Sequence, residues 1–341
     1  MFFSRKSLVP IGLLSAFVLF NACKKDLSSL DQPDVSTPPT AATEPTGRVC
    51  GAEEALHMQL AADPSLRERM LQIERFTQRT IAMRAGTTSG GTTTTTAMPA
   101  TVTIPVVVNV LYNTAAENIS DAQIQSQIDV LNEDFNRTNA DAANTPSMFQ
   151  SQAASIGIKF TLNAIVRKST TTTSWTNNNA MKSTKTGGIA PTNPTTMLNI
   201  WVCNLGGGML GYAQYPGGSS TTDGVVILYS AFGRTGTLMS RYNKGRTATH
   251  EVGHWMNLRH IWGDAACGDD LVADTPQQDG ASAGMPAFPS YSTCAGNPAE
   301  MTMDYMDYTD DAGLNMFTVG QKDRARACFA SGGPRYAYYV K

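Results

Sequence analysis

The sequence is short of charge. Charged residues are 16% of the 341, and the signs nearly cancel, with 26 Lys and Arg against 28 Asp and Glu. No basic patch or stripe emerges, so the composition offers nothing to a nucleic acid. A membrane-spanning run is also missing. The apolar stretch Ser7 to Phe20 has fourteen residues, while a spanning helix needs about 20. No internal repeat is visible. Histidine is scarce, with four in the whole chain. What is abundant is Thr, Ser, Asn and Gly, a balance that fits an extracytoplasmic protein. The hydrophobic fraction of 41% is ample for one large domain or two ordinary ones.

The N-terminus gives an address. Met1 to Lys6 is a short basic region, Ser7 to Phe20 is apolar, and residues 1–22 together read as a signal peptide. Ala22 is followed by Cys23. A Cys directly after a small residue resembles a bacterial lipoprotein signal, although Phe20 and Asn21 are bulkier than that pattern favours. The expectation is an exported protein, either secreted or held at the outer membrane by a lipid on Cys23. Ordinary secretion with an incidental Cys23 is the alternative. That anchor is the one membrane contact expected.

Residues 23–47 are rich in Pro, Thr, Ser and Asp and read as a solvated linker. In residues 48–84, Leu56, Leu60, Leu66, Met70, Ile73, Phe76 and Ile81 recur at helical spacing, broken at Asp63-Pro64. Residues 85–100 form a second linker of Gly and Thr. A helical unit bracketed by two linkers has the layout of a propeptide. From residue 101 to 341 the texture is that of one folded domain. Residues 101–112 are β-branched and strand-like, with Pro105 marking an edge or a bulge. Ser120 caps a helix reaching Phe135, with Ile124, Ile128, Leu131 and Phe135 on one face. Residues 158–167, 197–204 and 225–230 read as strands, and 209–215 as an irregular edge. Thr318 and Gln321 form a capping-box pattern opening a terminal helix. Helices and strands mix, so the class is α/β or α+β.

Three of the four histidines fall within eleven residues, His250, His254 and His260. On a helix, positions i and i+4 share a face, so His250 and His254 can point two imidazoles at one metal ion. Glu251 sits beside the first ligand, where a carboxylate can take the proton from a water that zinc has activated. His260 follows six residues after His254, so the chain must turn back sharply. Such a turn needs the left-handed conformation. Asn257 stands there, the non-glycine residue that tolerates it best. The bland alternative is a helix whose histidines face solvent or are hydrogen-bonded.

A second segment, Met303-Asp-Tyr-Met-Asp-Tyr308, lies about fifty residues downstream. A Met turn beneath a three-histidine zinc site marks metzincins. The stretches His250 to Asp264, Asp270-Leu-Val-Ala-Asp-Thr-Pro276, Tyr305 to Asp311 and Met316 to Gln321 resemble the pappalysin branch of that group, over roughly residues 100–330. Asn257 departs from the Gly of most members.

The resemblance implies a metzincin-type zinc peptidase. Its N-terminal subdomain would have a twisted, mostly parallel sheet and two long helices, and its irregular C-terminal subdomain would end in a helix. The function implied is a secreted zinc endopeptidase made as a zymogen, acting on proteins or peptides. Met306 becomes the Met-turn residue. Tyr308 would lie near the zinc and hydrogen-bond the tetrahedral oxyanion. Cys267 and Cys294 would form a disulfide. A structural calcium would sit in the acidic loop of Asp269, Asp270, Asp274 and Thr275, with Asp270 and Thr275 as its contacts. An acid near the Met turn, Asp310 or Asp311, would select Arg or Lys just after the scissile bond. Cys50, in Arg48-Val-Cys-Gly51, would occupy the zinc as an inhibitory ligand, making the chain's own propeptide its inhibitor. Activation would cut between residues 75 and 100, where Arg75, Arg79 and Arg84 lie before the linker. Cys203 reads as a buried thiol and Cys328 has no evident partner. Two other functions compete: a catalytically inactive zinc-binding or adhesion module, and a zinc hydrolase of a non-peptide substrate. The intact Glu251 argues against the first, Met306 and Tyr308 against the second.

Overall fold

A computed structural model describes residues 47–86 and 101–339. The signal peptide, Cys23, the first linker up to residue 46 and residues 87–100 of the second lie outside the described residues. No described helix is long and apolar enough to cross a membrane.

The β-branched run after Thr101 forms β1 (Val102–Tyr112), an inner strand of a five-stranded sheet. Beside it run β3 (Ile158–Ser169), β4 (Leu198–Cys203), β6 (Val225–Leu228) and the edge strand β5 (Gly211–Ala213), in the order β3-β1-β4-β6-β5. All neighbours are parallel except β5, which is antiparallel to β6. Of the two expectations for Pro105, edge or bulge, the bulge is met: β1 is paired on both flanks, and its register with β3 slips between Val106 and Val107, while pairing with β4 begins only at Val106.

A parallel sheet is covered on both faces, so its strands carry apolar residues almost continuously. One face, with Val106, Val108 and Val110, packs under α3 (Asp121–Phe135) and α4 (Arg246–Trp255). The other, with Leu111, Trp201, Cys203 and Val226, packs against Trp175, Met181 and Ile189 of the long β3–β4 connection. Ser120 caps α3 as expected, its hydroxyl accepting from Gln123 N.

Past α4 regular structure is sparse. β7 (Phe317–Thr318) pairs with β2 (Ala153–Ala154) and leads into α5 (Val319–Ala327), where Thr318 and Gln321 complete the capping box. The Cys267–Cys294 disulfide is present, closing 27 residues of the irregular part. Cys203 and Cys328 are buried free thiols. The N-terminal segment folds as α1 (Ala52–Ala62) and α2 (Ser65–Gly86), broken at Asp63-Pro64 as the sequence predicts. α2 runs two residues past the expected boundary at 84 and packs on α5.

Candidate active site

α4 begins where Asp311, from the far end of the chain, accepts from Lys244 N at 2.8 Å and Arg246 N at 3.2 Å through one carboxylate oxygen. A carboxylate at a helix N-terminus satisfies free N–H groups and complements the dipole. His250 and His254 then stand one turn apart on the buried face. The helix ends on Asn257, whose φ is 71°. Asn257 N donates to His254 O at 2.8 Å and Leu258 N to Gly253 O at 3.0 Å. Those two bonds are the Schellman pattern, so the turn inferred at Asn257 is formed, without glycine. It returns the chain so that His260 joins the other two.

Each imidazole is oriented through Nδ1. His250 Nδ1 donates to Tyr305 O at 2.7 Å, His254 Nδ1 to Leu258 O at 2.9 Å, and His260 Nδ1 faces Asp264 Oδ1 at 2.5 Å. A carbonyl only accepts, so Nδ1 of the first two carries the proton and Nε2 is bare. Yet His254 Nε2 lies 3.1 Å from both His250 Nε2 and His260 Nε2. Lone pairs converging this closely repel unless a cation sits between them. Nitrogens about 2.05 Å from one tetrahedral ion lie about 3.3 Å apart, so the donor set fits zinc. Burial, with the neighbouring imidazoles next, pulls His250 well below its ordinary range. Burial followed by His260 takes His254 down to about 3, keeping both neutral, as ligands must be.

Two further groups reach the same point. Cys50 Sγ lies within 4.8 Å of the ligand nitrogens of all three histidines. It also donates to Glu251 Oε2 at 3.4 Å. Glu251 is 1% exposed, and burial raises its carboxyl to about 7. The edge strand passes directly above it: a Cβ on Gly211 would stand 2.9 Å from Glu251 Cγ, so only glycine fits. The segment carrying Cys50 runs along that edge, with Gly51 N donating to Gly211 O and Leu210 N to Val49 O, both at 2.9 Å. Arg48 anchors it by pairing with Asp311 at 2.7 Å and donating to Thr247 Oγ1 at 3.0 Å, fully buried.

Met306 is completely buried beneath α4. A Cβ on Gly253 would meet its Sδ at 2.5 Å, so the helix and the Met turn touch through a missing side chain. Tyr308 packs its ring against His260 at 5.0 Å and Trp262 at 4.7 Å, with its hydroxyl 3.5 Å from Cys50 O. Of the two acids after it, Asp311 faces Arg48, while Asp310 pairs with Arg241 at 2.8 Å.

Asp270 and Thr275 are brought together, but as acceptor and donor. The Thr275 hydroxyl lies 2.9 Å from each carboxylate oxygen, and Val272 N donates to Oδ1 at 3.0 Å. Asp274 instead receives Thr318 Oγ1 and Gly320 N, at the start of α5. Among the described residues, no cluster of three metal-ligating side chains forms around Asp270.

Sequence reasoning missed several members of the site. Tyr215 Oη stands 3.1 Å from His254 Nδ1 and donates to Glu53 at 2.7 Å. Asp134 on α3 receives Thr249 Oγ1 at 2.6 Å and Tyr305 Oη at 3.0 Å, tying α4 to the Met turn. Both contacts span long stretches of sequence, and no local pattern announces them.

A mostly parallel sheet, a histidine helix ended by a left-handed turn, a third histidine after it and a methionine beneath define a metzincin-type metallopeptidase. The chain belongs to the pappalysin family, the peptidase family described as pregnancy-associated plasma protein-A, whose profile matches residues 190–330. An extracellular metalloprotease of Arthroderma benhamiae is 32% identical over 234 residues, 67% of this chain and 77% of the relative. Mature mirolysin of Tannerella forsythia, solved with a cleaved peptide, is 49% identical with a TM-score of 0.69, covering 71% of this chain and 97% of that one. A promirolysin variant from the same organism is 44% identical with a TM-score of 0.76, covering 86% of this chain and 97% of that one. The protein is a zinc metallopeptidase of this family.

Proposed function

We propose that the chain is an exported endopeptidase made latent by its own N-terminal segment, residues 48–84, ahead of a catalytic domain at 101–341. The observation that carries this reading is the convergence of three imidazoles, Glu251 and Cys50 Sγ on one point. His250, His254 and His260 would hold zinc. When bound, zinc supplies a Lewis acid that polarises a carbonyl oxygen and acidifies water. Glu251 would take the water's proton on Oε2 and deliver it to the leaving amine. The Tyr308 hydroxyl donates to the developing oxyanion. The edge groups Leu210 N and Gly211 O, taken here by residues 49 and 51, give an extended peptide its place by strand addition.

Cys50 is the inhibitory ligand in the latent form. Arg48, paired with Asp311, sits where a substrate arginine would find the same carboxylate. Cleavage before a basic residue is therefore expected, and a peptide library showing indifference to Arg and Lys refutes it. The promirolysin match extends to 86% of this chain against 71% for mature mirolysin, which supports the zymogen reading. The extracellular relatives support export, with a lipid at Cys23 as one route. The calcium expected at Asp270 and Thr275 is tested by melting with and without a calcium chelator, where an unchanged midpoint removes it.

Casein digestion tests the main reading. Activity should vanish on metal chelation and in Glu251→Ala, and Cys50→Ala should activate sooner. Digestion persisting in Glu251→Ala would defeat the mechanism, and unchanged latency in Cys50→Ala the switch.

A further inference from the structure

The turn on which the third ligand depends is held from far away in sequence. Arg324 on α5 donates Nε–H to Asn257 O at 2.7 Å. It is one of three such contacts. Arg335 Nε donates to Trp255 O at 2.6 Å and Cys328 Sγ to Met256 O at 3.3 Å. The last carbonyls of a helix have no partner within it, and that end carries partial negative charge. Two guanidinium groups and a thiol from residues 324–335 satisfy three successive carbonyls, two at the helix end and the third in the turn itself.

The Asn257 peptide lies between two ligands. The next carbonyl, Leu258 O, accepts from His254 Nδ1 at 2.9 Å. Just beyond His260, Ile261 N donates to Met306 O at 3.3 Å. Rotating the peptide at Asn257 would therefore swing the acceptor that orients one imidazole and shift the backbone that carries another. The Asn257 side chain does not brace the turn, because its Nδ2 is buried without a hydrogen-bond partner. Arg324 supplies the brace, and its side chain is 1% exposed. Its two outer nitrogens are taken by Glu74 of α2, at 2.9 and 2.6 Å. Both carboxylate oxygens are used there, and the Nε edge of the guanidinium is turned to Asn257.

We propose that Arg324 is a positioning residue for the metal centre: through Asn257 O it fixes the left-handed turn that aims His254 and His260. Glu74 steadies the guanidinium while the N-terminal helices are attached. When they leave, the outer nitrogens pass to water and the bond to Asn257 remains. The inference rests on reading the three histidines as zinc ligands.

Zinc affinity of the full chain, measured by competition with a chromophoric chelator, tests it, together with the visible spectrum of the Co²⁺-loaded protein. The double variant Glu74→Gln/Arg324→Gln removes the brace without leaving a buried charge unpaired. It should lose roughly 10–100-fold in zinc affinity, the usual effect of deleting a group that orients metal ligands, and should shift the Co²⁺ bands. Arg324→Lys should recover part of the loss, since an ammonium can still reach the carbonyl. Glu74→Gln alone should lower the melting midpoint and leave zinc affinity near that of the unaltered chain. Should the double variant prove insoluble, Arg324→Lys against Glu74→Gln carries the comparison. Unchanged zinc affinity and Co²⁺ spectrum in the Arg324 variants overturn the proposal. An unaltered chain that binds no zinc overturns instead the reading of the histidines.

Discussion

The two sides of α4 are held together by different physics. The sheet side, up to Trp255, is an apolar sandwich: valines and isoleucines of β1, β4 and β6 face α3 and α4, and Trp201 and Tyr212 fill the opposite face. The side after Trp255 lends Leu258, Met306, Leu314, Phe317 and Phe329 to that same core and adds a smaller cluster around Ile261, Trp262, Met301, Met303 and Met316. It is further organised by a disulfide and by buried polar groups such as Asp304, Asp307, Asp311, Gln321 and Arg324. The site straddles this seam. Two of the candidate ligands and Glu251 belong to the helix, while His260, Met306 and Tyr308 come from the side after it. Apolar packing sets the helix in place without directionality. His260 depends on the directional bonds of the turn at Asn257.

The largest test of this contrast cuts a cavity on the sheet side. Trp201→Ala should cost about 3–5 kcal/mol, read as a shift in the denaturant midpoint, whether or not reductant is present. Next, replacing Cys267 and Cys294 together by Ser should cost about 3.5 kcal/mol for a 27-residue loop. That loss should come with proteolytic nicking confined to residues 263–300, and nicking within the sheet would blur the contrast. Across the seam, Gly253→Ala drives a methyl toward Met306 Sδ and should cost about 1–3 kcal/mol. Zinc affinity should fall alongside the melting midpoint. Asn257→Gly relieves the left-handed strain and should raise stability by up to about 1 kcal/mol. A fall in the melting midpoint would show that the Asn side chain matters in some other way.

Effects of pH run in opposite directions on the two sides. Burial pulls Lys182 down to about 7, where its ammonium lies 5.1 Å over Trp201 and 5.0 Å over Tyr212. The unfolded chain then binds the extra proton between about 7 and 10.5, so this group makes stability rise with pH across that window. Burial pushes Asp270 up to about 7, so the folded chain holds the extra proton from 3.8 to about 7 and stability falls as pH climbs through that range. Melting midpoints against pH for Lys182→Met and Asp270→Asn should each lose one slope and keep the other.

What could be read in advance divides between contacts within one stretch and contacts between distant ones. Ser120, the Asp63-Pro64 break and the Thr318–Gln321 box all act within a few residues, and all are formed. The i, i+4 spacing of His250 and His254, and the left-handed turn at Asn257, follow from backbone geometry alone. The apolar strands were legible because burial on both faces leaves a continuous pattern. Nothing comparable marks Asp134, Tyr215 or Arg324, because a buried hydrogen bond between distant residues has no period. The acidic loop shows the converse. Its hard oxygen ligands invited calcium, yet Asp270 and Asp274 spend their oxygens on Thr275, Val272, Thr318 and Gly320.

The sequence by itself determined the ligand types, their helical spacing and the residue able to turn the chain back, because those depend on bonds and dihedrals within one stretch. Tertiary structure alone decided which way each imidazole faces, which acid meets Arg48 and what holds the Asn257 turn. Each of those rests on a directional contact such as Arg324 to Asn257, 67 positions apart, and a chain finds such partners only by folding.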